Sequence, residues 1–170
     1  NEYESQMQAF LKSEVLVWAL SPTIIEAIDR QNTVTNSYSQ SMIDQFDAAW
    51  RQEIGAPKTP TITPIISSET ASFLRQQIGN SEGRITEIFL MDAQGLNVAA
   101  SDVTSDYWQG DEEKFTETYG RGIGAVHFGE VEFDESTQRY QAQISITIVD
   151  PTTDKPIGAM TIGIDPEALM

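Results

Sequence analysis

Asp106, Tyr107, Trp108, Phe115 and Tyr119 fall within one short stretch of the chain. Large amphipathic rings beside a carboxylate suit a pocket that stacks on, or cages, a small polar or cationic molecule. The plain alternative is that they only cap the core. His127, the single histidine, lies on the segment that follows, and it reads either as a ligand contact or as a hydrogen-bonded strand residue. Gln143, Ser145 and Thr147 form a polar row on an otherwise apolar run; such a row faces solvent or lines a wet pocket. If the row and the rings face one space, its walls are apolar and its acceptors cluster at one end. That suits an amine or a polyhydroxylated ligand and disfavours a dicarboxylate.

Other chemistry is excluded by what is missing. The chain has no cysteine and one histidine, so disulfides, thiol nucleophiles, iron–sulfur clusters and multi-histidine metal sites are ruled out. The acidic run Asp102, Asp106, Asp111, Glu112 and Glu113 lacks the alternating spacing of a calcium loop and reads as a solvated helix start. Gly120-x-Gly122-x-Gly124 follows a helix instead of preceding one, so it offers no helix N-terminus to a phosphate. No pair of carboxylates is fixed at a catalytic separation, and the expectation is a non-enzyme without cofactor. A net charge of -16 repels phosphate backbones, which argues against nucleic acid.

The elements that must position these residues follow from periodicity. With 170 residues, of which 39% are hydrophobic, one domain over 1–170 is expected. In the first part, apolar residues recur at helical spacing: Tyr3, Met7, Phe10, Leu11, Val17 and Trp18, then Ile24, Ile25 and Ile28, then Met42, Ile43, Phe46, Ala49, Trp50 and Ile54. Ser21-Pro22 starts the second of these helices. Gly55, Pro57, Pro60 and Pro64 mark an extended loop, and Ser67 or Ser68 opens a fourth helix through Phe73, Leu74 and Ile78 that Gly79 closes. Residues 1–80 are therefore the helical part.

From Ile85 the period becomes two. Ile85 to Met91, the turn Asp92-Ala93-Gln94-Gly95 and Leu96 to Ser101 form a hairpin. Asp111 to Tyr119 is a short helix, Val126 to Phe133 a third strand, Gln138 to Val149 a fourth and Ile157 to Ile164 a fifth. The fold class is α+β: N-terminal helices followed by a mostly antiparallel sheet over 85–165. No apolar stretch reaches the length needed to span a bilayer. The start at Asn1, with neither initiator Met nor signal segment, reads as a piece of a longer protein or a processed form. Tyr3, Met7, Phe10 and Val17 approximate a seam, interrupted by Glu14, for a weak homodimer.

This order of elements, with Phe89-Leu90-Met91-Asp92-Ala93-Gln94-Gly95 followed by Val98-Ala99-Ala100-Ser101, then Thr104 to Glu112, then Asp154-Lys155-Pro156-Ile157-Gly158 to Ile164-Asp165, resembles the Cache sensor domains, extracytoplasmic relatives of PAS domains. The resemblance implies a PAS-like five-stranded antiparallel sheet and a helix and loop lid formed by residues 102–124, with a ligand pocket between them. It implies the periplasmic, ligand-sensing part of an inner-membrane signalling receptor (histidine kinase, chemoreceptor or cyclic-dinucleotide enzyme) flanked by transmembrane helices before Asn1 and after Met170. The Arg-x-Trp-Tyr element of the amino-acid-binding branch is missing; Asp106-Tyr107-Trp108 stands there, with no arginine until Arg121. The second expectation is a protein-interaction or dimerisation module with no small ligand.

Overall fold

The structure, a computed structural model, describes residues 2–134 and 138–170; the expectation that rests on Asn1 lies outside them. The chain opens with α1 (Glu2–Phe10), runs through one π-helical stretch (Leu11–Val15) and continues as α2 (Leu16–Ala19). Met7, Leu11, Val15 and Ala19 are buried, each four residues after the last. On a regular α-helix every fourth residue drifts by about 40°, and the wider π turn absorbs that drift, so all four stay on the sheet. Val17, expected on this face, is instead 80% exposed. The dimer seam changes accordingly: Met7 and Phe10 are buried in the protein's own core.

Pro22 occupies the first turn of α3 (Pro22–Thr35), as Ser21-Pro22 predicts, but Ser21 gives no side-chain cap. The break there comes from proline geometry and the extended φ, ψ of Ser21. Ser39 caps α4 (Gln40–Glu53) by accepting from the Met42 amide, and Ile43 and Trp50 are its buried residues. The proline-rich loop is shorter than expected, because Pro64 starts α5 (Thr63–Ile66). Ser68 caps α6 (Glu69–Asn80) through the Ala71 amide. Gly79 does not close α6 but lies inside it; the chain turns afterwards at Glu82 and Gly83, both with positive φ.

The sheet comprises β1 (Ile85–Met91), β2 (Asn97–Ala100), β3 (Val126–Phe128), β4 (Glu132–Asp134), β5 (Arg139–Asp150) and β6 (Lys155–Ile164). Its order is β2-β1-β6-β5-β3, every pair antiparallel, and β4 also pairs with β5. The expected third strand is thus interrupted. Phe128 pairs with Ile144 and Glu132 with Gln141, four steps on one strand against three on the other, so one extra residue forms a bulge. The bulge switches faces. His127 pairs with Ser145 while Phe133 pairs with Tyr140, which places Phe133 opposite to His127 and not on its side as the simple alternation requires. With β3 and β4 taken as one interrupted strand, the order is that of an α+β PAS-like sheet.

Both faces of the sheet are covered. Against one, α1 to α3 and α6 bury Ile24, Ile28 and Leu74 on Ile88, Leu90, Ile144, Ile148 and Ile162. Against the other, Trp50 of α4, Ile62, Ile65 of α5 and Phe115 of α7 (Glu113–Thr116) pack on Phe89, Met91, Ala100 and Ala159. The expected helix from Asp111 to Tyr119 is only the single turn of α7. Gly95, at φ +84°, makes the β1–β2 turn and takes residues 109–110 against it: a Cβ there would lie 2.5 Å from the Gly110 Cα. Asp92, fully buried in that turn, accepts from Gln31 Nε2, Thr35 Oγ1 and the Gln94 and Leu96 amides. It therefore joins α3 to the hairpin.

Candidate functional site

The lid segment 102–124 is tied down at its β2 end by backbone contacts. The Asp47 carboxylate of α4 accepts from the Tyr107 and Trp108 amides, each at 3.0 Å. Asp106 acts through its carbonyl, which accepts from Asn97 Nδ2, Thr104 Oγ1 and Gln109 Nε2. Its carboxylate makes no hydrogen bond among the described residues. Trp108 donates its indole N–H to the Gln94 carbonyl at 2.8 Å and lies against Gly110. Tyr107 stacks on Trp50, with ring centroids 5.3 Å apart, and meets Phe46 edge-on at 6.3 Å. Burial pushes the Tyr107 hydroxyl up to about 12, with Asp92 and Tyr38 adding to the shift. Asp106, Tyr107 and Trp108 therefore fasten the lid to the hairpin.

The other predicted residues gather at the β3 and β5 end. Phe115 and Tyr119 stack at 5.2 Å, and Phe115 is buried in the second core cluster. His127 Nε2 stands 3.6 Å from Glu113 Oε2 of α7. Gln143 donates to Glu87 Oε1 at 2.9 Å, and Gln141 donates to the same oxygen at 2.8 Å. Glu87 and Gln143 lie on strands separated by β6, and both face Gly163. A Cβ at Gly163 would sit 2.7 Å from Glu87 Cγ and from Gln141 Nε2, so the absence of a side chain there lets the bridge form. The polar row does not simply face solvent. Ser145 and Thr161 are buried and share a 2.7 Å hydrogen bond, and the buried Thr147 Oγ1 has no partner among the described residues.

A cavity of about 500 Å³ opens where lid and sheet meet, lined by Lys114, Gly129, Glu130, Glu132, Phe133, Gln141 and Gln143. Lys114 Nζ lies 5.3 Å from the Phe89 ring centroid and 3.9 Å from Glu112 Oε1. Burial holds the Glu112 carboxyl above its ordinary range; Lys114 opposes this, and Asp106, Asp111 and Asp47 reinforce it. Of the sequence-predicted residues, only Gln143 lines the cavity. Lys114, Gln141, Glu130, Glu132 and Glu87 were not anticipated. Gln141 had a signal, since it alternates with Gln143 on one face; Glu87 had none, because its place depends on register across a third strand. Among the described residues, no group of three or more His, Asp or Glu is arranged to hold a metal ion, and no helix is long and apolar enough to cross a membrane.

No protein-family model and no curated protein sequence matches the chain. Solved structures to which it is similar include the ligand-binding domain of the Campylobacter jejuni chemoreceptor Tlp3 in complex with 4-methylisoleucine (16% identity, TM-score 0.44, 98% of this chain and 61% of that one). Another is the sensor domain of the V. cholerae histidine kinase DctB (13%, TM-score 0.42, 99% and 57%). A third is the ligand-binding domain of the Pseudomonas aeruginosa amino acid chemoreceptor PctC in complex with GABA (12%, TM-score 0.44, 85% and 62%). The chain spans about three fifths of the length of each. Likeness at this level assigns it neither a ligand nor a residue role.

Proposed function

We propose that the chain is a Cache-type ligand-sensing domain, the extracytoplasmic part of a membrane signalling receptor, and that it binds a small molecule between the sheet and the 102–124 lid without catalysing a reaction. The observation that carries this reading is the cavity at the lid–sheet junction, where Lys114 of the lid faces Gln141 and Gln143 of the sheet. Glu130 and Glu132 on its wall outnumber Lys114. This balance favours a small ligand bearing an amine or several hydroxyls over a dicarboxylate. A ligand whose hydroxyl accepts from Lys114 while its other polar groups reach the glutamines stabilises one arrangement of lid and sheet. Through β5 and β6 that preference reaches the packed N-terminal helices, and a differential affinity of this kind is what shifts a two-state receptor.

A thermal-shift screen of small amines and polyols tests the proposal, with Gln143→Ala and Lys114→Ala titrated against any hit. Loss of a charge-assisted hydrogen bond costs about tenfold in affinity, so Gln143→Ala is expected to lose most of the shift given by an amine or a polyol, and Lys114→Ala most of that given by a polyol, whose hydroxyl accepts from the ammonium. A hit class dominated by dicarboxylates, or unchanged affinity in both variants, would overturn it. The full-length sequence tests the receptor context, for which spans flanking the domain are expected.

A protein-interaction module is the second reading, favoured by the Trp50–Tyr107 and Phe115–Tyr119 stacks that fill part of the space under the lid. It predicts no small-molecule stabilisation and concentration-dependent self-association.

A further inference from the structure

At the open edge of β2, a second cavity of about 410 Å³ lies between α3 and the first turn of α6, with Tyr38 and Tyr107, at the fastened end of the lid, among its walls. We propose that this cavity is a second ligand site and that it takes a small carboxylate carried on a short apolar body. Arg30 supplies the charge. It lines the cavity, yet its guanidinium makes neither an ion pair nor a hydrogen bond among the described residues of a protein that has 26 acidic side chains. An unpaired guanidinium presents the planar fork that a carboxylate fills with two hydrogen bonds.

Thr70 supplies a second, independent sign. It is 9% exposed and lines the same cavity, and its hydroxyl has no partner among the described residues. That oxygen is not sealed from solvent, so it is free to donate to a ligand in the cavity. Thr70 also sits in the first turn of the 12-residue helix α6, where amides lack intrahelical acceptors and negative charge is favoured. The rest of the wall combines Ala27, Val34, Val98 and the two tyrosine rings with the polar Gln31, Thr35 and Ser68, and Val34 is 58% exposed. Asp92, whose charge reaches Tyr107, is fully buried and held by four donors. The charge preference is thus opposite to that of the lid cavity.

Isothermal titration with 3-phenylpropionate, alongside 3-phenylpropan-1-ol and 3-phenylpropylamine, tests the site on the whole chain. The acid is expected to bind saturably and the alcohol and amine to bind at least about tenfold more weakly. Arg30→Gln, at an exposed position, should cost the acid about tenfold in affinity, Arg30→Lys less, and Thr70→Val several-fold, each with little change in melting temperature. No saturation by about 10 mM, equal binding of the alcohol, or full affinity in Arg30→Gln would overturn the proposal. So would loss of binding in Gln143→Ala with retention in Arg30→Gln, which would place the acid under the lid. Because the lid reading stands on amines and polyols with Lys114 and Gln143 variants, either site can fail alone.

Discussion

Trp108 and Asp106 are adjacent in sequence yet play different parts. Trp108→Ala removes the hydrogen bond to the Gln94 carbonyl and the ring packed on Gly110, a loss of about 2–3 kcal/mol. For a domain of this size that lowers the melting temperature by about 5–10 °C. Asp106→Ala removes a carboxylate that makes no hydrogen bond among the described residues and leaves the carbonyl that holds the loop, so its melting temperature should stay close to the parent's. Calorimetry on the two variants checks the contrast. Glu112 adds a pH dependence. Its folded-state carboxyl is raised above 4.5 by burial, so the folded state binds the proton more tightly than the unfolded chain. Its unfavourable contribution therefore appears as pH rises through and above 4.5 and vanishes below it. Glu112→Gln should melt higher than the parent at neutral pH, and the gap should close on acidification. A gap independent of pH would refute the assignment.

At the scale of elements, two glycines make opposite predictions. At Gly95 a methyl group meets the backbone of Gly110, which cannot swing aside, and the φ of +84° strains any L side chain. Gly95→Ala should cost upwards of about 2 kcal/mol and loosen the β1–β2 turn. At Gly163 the obstructing atoms are Thr86 Oγ1 and the side chains of Glu87 and Gln141, which can move. Gly163→Ala should therefore melt within a few degrees of the parent while breaking the Glu87–Gln bridge, and on the proposed function it weakens ligand response in the lid cavity. Equal destabilisation by the two substitutions, measured by thermal unfolding, would contradict this reading.

For the whole molecule, the decisive fact is that the first helix spends its apolar stripe internally. With Met7, Phe10, Leu11 and Val15 all buried against the sheet, little of the expected coiled-coil seam remains, and the net charge of -16 adds repulsion between copies. The isolated chain is expected to sediment as a monomer across a micromolar concentration series. A tight dimer would show that exposed residues such as Leu16, Val17 and Leu20 form an interface instead. Raising the salt concentration separates the two causes, since screening removes the repulsion and leaves the buried stripe unchanged.

Much of this was legible without coordinates, wherever the signal is local. Ser68 capping α6, proline at the start of α3, the Gly95 turn and the alternation along β5 depend on neighbouring residues alone, so the sequence by itself determined the order of the longer elements and the α+β class, though not α5 or the split of the third strand. What the tertiary structure decided depends on register and on residues far apart in the chain. The extra residue between β3 and β4 separates Phe133 from His127. Across Gly163, Glu87 reaches two glutamines more than fifty positions away. The Asp47 carboxylate fastens the lid through the Tyr107 and Trp108 amides, a bond that aromatic density alone did not suggest. Pairing partners and carboxylate positions are set by where strands and helices meet, and no window of adjacent residues encodes that meeting.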